Sequence, residues 1–92
     1  MERETSNFNG VLHDKALEAI RSGKLPSRHQ DRTLGGAGSG AECAVCGEPV
    51  MRHMTELEIQ FNHGETVSYY HLHYQCFAAW DFERTNIPGA SN

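Results

Sequence analysis

Hydrophobic and polar positions change rhythm along this chain, and each change marks an element. Between residues 8 and 22, Leu12, Ala16, Ala19 and Ile20 recur at three- and four-residue steps, and Phe8 extends the stripe backwards. That spacing lines one face of an amphipathic helix. Asn9 can cap its start, while Arg21 and Gly23 are stop signals. Leu25-Pro26 then forces extended backbone.

Residues 23–42 read as a long loop, because glycines at 35, 36, 38 and 40 are too many for a helix or a paired strand. The period then shortens to two. Leu57, Ile59 and Phe61 share one strand face, with Glu56, Glu58 and Gln60 on the other. Asn62-His63-Gly64 is a turn, and a second strand returns from Val67 to His73 to make a hairpin. A last helix covers Tyr74 to Arg84, with Phe77, Trp80 and Arg84 along one edge. Ile87-Pro88-Gly89 closes the fold and residues 85–92 form a flexible tail. The pattern predicts an α+β fold in one domain over residues 1–92: helix, glycine-rich loop, knuckle, hairpin, helix.

Size makes this pattern insufficient alone. A chain of 92 residues builds a marginal core, so a disulfide, a metal or oligomerisation is expected to staple it. Three cysteines would leave one thiol over in a disulfide framework. No secretory signal stands at the charged N-terminus, and no apolar run is long enough to span a membrane. A reducing cytoplasm is the simplest compartment, and there Cys-x-x-Cys points to metal or catalysis.

The cysteine spacing selects metal. Cys43-x2-Cys46 is followed, after 26 intervening residues, by His73-x2-Cys76. Zinc takes four thiolate and imidazole donors tetrahedrally, and a two-residue spacing presents two donors from one turn. The first pair sits on a knuckle that Gly47 lets turn tightly. The second sits where the strand ends and the last helix begins, and a helix N-terminus favours the thiolate. A redox role for Cys43 and Cys46 would need a βαβ placement that the pattern lacks. Four protein ligands fill the shell, so Zn2+ is expected to be structural. His71 lies on the same strand face as His73, as an alternative ligand or as a contact behind the ligands.

This arrangement resembles the treble-clef zinc fingers, in which a knuckle and a C-terminal helix carry the two ligand pairs around a hairpin. The run Tyr70-His71-Leu72-His73-Tyr74-Gln75-Cys76-Phe77 is similar to the first zinc module of LIM domains. It also resembles the break-sensing finger of poly(ADP-ribose) polymerases. A LIM domain continues into a second zinc module, for which no cysteines remain here. The whole chain looks more like small uncharacterised zinc-binding proteins of bacteria. The resemblance to treble-clef fingers covers residues 43–84 and implies a fold more than an activity.

Charge bears on the partner. Residues 1–41 carry a net +1 and residues 42–92 a net −5. An acidic finger suits a polyphosphate backbone poorly. The basic stretch at residues 21–32, with Lys24, Arg28 and Arg32, is the one candidate for an anion or nucleic acid; otherwise its arginines pair with the acidic half. It carries no phosphate-loop motif. Tyr69, Tyr70, Tyr74, Phe77, Trp80 and Phe82 crowd a short span, and any left exposed would anchor a protein partner. No catalytic constellation stands out. His53 and His63 fall on turns, and Glu56 and Glu58 fit an exposed face. A non-enzymatic, protein-binding adaptor is the leading expectation, followed by nucleic-acid binding through the basic stretch, then a ligand or enzymatic site near His71.

Overall fold

The structure, a computed structural model, describes residues 2–86, with side-chain surroundings from Gly10 onward. Helix α1 spans Glu2–Arg21, strand β1 Arg32–Ala37, β2 Thr55–His63, β3 Thr66–His73 and helix α2 Tyr74–Asn86. The three strands form one antiparallel sheet in the order β1-β2-β3. The fold is a small α+β arrangement, with the knuckle between β1 and β2.

Helix α1 begins earlier than the apolar stripe suggests, so Asn9 lies inside it. The contribution of Phe8, and the stop at Ile87-Pro88-Gly89, fall outside what is described. Ala16 and Ala19 are buried, as the helical spacing implies. Gly23 takes φ 83° just past the helix, its amide returning to the Ile20 carbonyl at 3.1 Å. The reversal drops Leu25 into the core. The Trp80 indole N–H then fixes the turn by donating to the Pro26 carbonyl at 2.9 Å.

The largest departure from the sequence reading is β1. The 23–42 segment contains a strand paired with β2 from Arg32↔Gln60 to Ala37↔Thr55, with Gly35 and Gly36 inside it. The strand is pinned at both ends. The Asp31 carboxylate accepts from the Asn62 amide at 2.7 Å, and the Gly38 amide donates to the Met54 carbonyl at 2.9 Å. Just past the strand, Gly38 lets two backbones approach closely. A Cβ at Gly38 would lie 1.9 Å from the Met51 carbonyl oxygen.

The hairpin follows the expected alternation on its inner face. Ile59, Phe61 and Leu72 are fully buried, with Leu57 and Tyr70 half-buried beside them. Gly64, at φ 72°, takes the first position of a two-residue loop, where hairpin turns of the II′ kind require glycine. Trp80 centres the core. It meets Phe61 edge-on at 6.2 Å and Phe77 at 5.8 Å, and the Arg84 guanidinium stacks 5.3 Å from its ring. Arg84 is buried because Asp81, one turn earlier, pairs with it at 2.7 Å. Helix α1 reaches α2 through His13, which bonds Glu83 at 2.8 Å and packs edge-on against Phe82.

Candidate metal centre

The knuckle is a tight chain reversal. The Cys43 amide donates to the Glu48 carbonyl at 2.8 Å, and the Gly47 amide returns to the Cys43 carbonyl at 2.9 Å. Gly47 has φ 83°, the left-handed conformation its position in the sequence called for. The turn aims the Val45 N–H at Cys43 Sγ, 3.4 Å away. One rung ties the knuckle to the sheet, from the Ala44 amide to the His71 carbonyl at 2.8 Å. That rung sits two residues before His73, the last residue of β3, and Cys76 follows in the first turn of α2.

The result is a Cys3His group: the donor atoms of Cys43, Cys46, His73 and Cys76 all lie within 4.8 Å of one another. His73 Nδ1 is 3.4 Å from Cys46 Sγ and 3.8 Å from Cys76 Sγ. Metal–donor bonds of zinc length at tetrahedral angles put neighbouring donors about 3.5–3.8 Å apart. The spacing therefore fits one ion at the centre. His73 Nε2 faces the Pro49 carbonyl at 3.2 Å. An N–H there fixes the tautomer and leaves the Nδ1 lone pair aimed at the group.

The three thiols differ in acidity. A hydrogen bond from Cys76 draws the Cys43 thiol down to about 4 against the opposing effect of burial, helped by the Cys46, His73 and Val45 amides. Burial raises Cys46. Cys76 is raised chiefly by donating to Cys43, then by burial. Cys43 is the donor the fold prepares best as a thiolate.

His71 does not reach this group. Its Nδ1 bonds Glu56 Oε2 at 2.6 Å, a diagonal contact, since Glu56 pairs with His73 and Glu58 with His71. Glu56 itself is 7 % exposed, where alternation predicted an exposed residue. The cause is the unexpected chain beside it: the Ser39 amide and hydroxyl each donate to Glu56 Oε1 at 2.8 Å. A carboxylate supplied with three donors tolerates burial. Alternation alone does not show this, because the covering segment is rich in glycine and carries no strand period.

Lys24, Arg28 and Arg32 have different surroundings. Lys24 lies in a recess with Asp14, Lys15 and Glu18. Arg32 is exposed on β1, opposite Gln60. Arg28 pairs with Asp31 of its own segment at 3.2 Å, donates to the Asn62 carbonyl at 3.0 Å and stacks 5.1 Å from the Phe61 ring centroid. The expected clasp onto the acidic half is thus made through a carbonyl and a ring, and its carboxylate partner is local.

A cleft of about 720 Å³ opens against the cysteines and histidine, bordered by Leu12, Pro49, Met51, Met54 and Tyr74, with Glu48 on its edge. Met51, Met54 and Tyr74 are exposed, Tyr74 most at 59 %. The two methionines escaped sequence reasoning. Their signal was a pair of large apolar side chains three residues apart in a short loop with no strand or helix period. Among the described residues, no helix is long and apolar enough to cross a membrane. Comparison with known protein families, with curated proteins and with solved structures gave no match to this chain.

Proposed function

We propose that this chain is a zinc-stapled module of the treble-clef type, whose ion is structural and whose work is to bind another protein. Cys43, Cys46, His73 and Cys76 would hold Zn2+. Sulfur-rich tetrahedral sets with a single imidazole suit zinc, and four protein donors leave no position for substrate. Three thiolates with a divalent ion carry a net −1, adding to an already acidic half. A reducing compartment would keep the thiols available.

The observation that carries the binding role is the cleft beside the ion site. Flexible methionines and an exposed tyrosine around an apolar hollow make an adaptable surface for a partner's apolar side chains. Arg28 paired with Asp31 and an acidic finger speak against nucleic acid. A photo-crosslinking amino acid placed at Met54 in the intact protein tests the role in cells, with Val67 as the control site on the β2–β3 hairpin. A discrete protein adduct from position 54, absent from 67 and lost in Tyr74→Ala, is expected. No adduct, or the same adducts from both positions, would remove the reading.

A further inference from the structure

Among the described residues, strand β1 leaves an open edge. It pairs with β2 on one side alone among the described residues. The bond from the Gly38 amide to the Met54 carbonyl continues the register of Arg32↔Gln60. Alternation along an antiparallel pair then turns the amides of Leu34 and Gly36 toward β2, and those of Thr33, Gly35 and Ala37 to the open edge. Edges are normally blunted by a charge, a proline or a covering loop. Arg32 at the start of β1 is its one charge, and residues 33–37 contain no charged residue and no proline. All six residues of β1 are exposed.

The same strand carries a knob and a hollow. Leu34 stands 41 % exposed. Together with Gly35, Gly36, Ala37, Glu56 and Glu58 it borders a hollow of about 160 Å³. From these we infer that β1 pairs antiparallel with β1 of a second copy of this chain, about a two-fold axis at Gly35. In that register Thr33 of each copy exchanges backbone bonds with Ala37 of the other. Leu34 stands directly opposite Gly36, at the closely spaced, non-hydrogen-bonded position, where its side chain covers the hollow. The patch complements itself, as a two-fold interface must. Arg32 of each copy falls at opposite ends of the joint, so the two cations do not meet. This surface is separate from the cleft beside the ion site, and the inference stands without the binding role proposed for that cleft.

One strand pair buries less than the roughly 800 Å² per partner of a standard interface, so the dimer is expected to be weak. Sedimentation of the zinc-loaded full chain from micromolar to millimolar concentration tests it, together with amide exchange at both ends of that range. The average mass should rise toward that of a dimer, and the amides of Thr33, Gly35 and Ala37 should slow as it does. Leu34→Lys puts charge at the joint on an exposed site and should shift association to at least about tenfold higher concentration, a cost near 1.4 kcal/mol. Thr33→Pro removes one edge amide and should act in the same direction. A monomer at every concentration overturns the inference. So does association that both variants leave unchanged, or protection that builds on β3 instead of β1.

Discussion

Glu56 Oε2 accepts a 2.6 Å hydrogen bond from His71 Nδ1 while its other oxygen holds the amide and hydroxyl of Ser39. The pair therefore joins three segments: the glycine-rich approach, the middle strand and the strand that carries His73. The backbone of His71 also receives the knuckle through Ala44. Removing the carboxylate strands donors from two of these segments. Glu56→Ala should destabilise the zinc-loaded protein by about 1–3 kcal/mol in chemical denaturation. His71→Ala in the Glu56→Ala background should cost clearly less than in the native chain, because the partners share one interaction. Additive losses would show that the two side chains act independently.

The acid response of that carboxylate has a definite sign. Burial by itself would raise Glu56, but the bonds from His71 and Ser39 outweigh it and hold the group below its ordinary 4.5. A carboxyl lowered on folding contributes stability that is complete above its unfolded value and is lost only as pH falls through the folded value. The stability advantage of the native protein over Glu56→Gln should therefore not shrink from neutrality down to the region of 4.5. Denaturation midpoints at several pH values above that point check it. A gap that shrinks within this window would assign the dependence to another group.

Two glycines separate close packing from open space. A Cβ on Gly38 would lie 1.9 Å from the Met51 carbonyl oxygen and 2.4 Å from that of Val50, contacts with backbone that cannot step aside. Gly38→Ala should cost about 2 kcal/mol or more and loosen the loop that leads into Cys43. At Gly36 an added Cβ meets nothing within 4 Å. Gly36→Ala in dilute protein should be neutral or stabilising by up to about 1 kcal/mol, through the unfolded chain. Thermal melts of the two variants side by side test the contrast.

The same segment explains what could be read from the sequence. Spacing picked out Cys43, Cys46, His73 and Cys76, which the fold brings together, because a knuckle and a helix start are local structures that two-residue spacing encodes directly. The hairpin was legible for the same reason, since Ile59, Phe61 and Leu72 report burial through alternation. β1 was not. Its glycines are poor strand formers, and what makes them a strand is tertiary: Asp31 on the Asn62 amide at one end and Gly38 under Met51 at the other. Missing β1 also placed Glu56 on a solvent face, whereas Ser39, just past that strand, covers it. His71, open in the sequence between a ligand role and a contact behind the ligands, takes the contact on Glu56.

Metal removal tests the centre itself. Structural zinc in small domains contributes an apparent ~10–16 kcal/mol at neutral pH, more than a core of this size supplies. Metal analysis of the purified chain should give one zinc per molecule. A strong chelator should abolish the dispersion of the amide spectrum, and added zinc should restore it. Within the group, Cys76→Ser and His73→Ala should act alike, because each leaves three donors and an open position. His71→Ala should keep its zinc, since that ring is held by Glu56. Native mass spectrometry on the three variants separates these outcomes. If His71→Ala lost the ion while His73→Ala retained it, the ligand set drawn from the geometry would be wrong. If the chain stayed folded after complete loss of zinc, the ion would not be the staple and the packing around Trp80 would have to carry the fold alone.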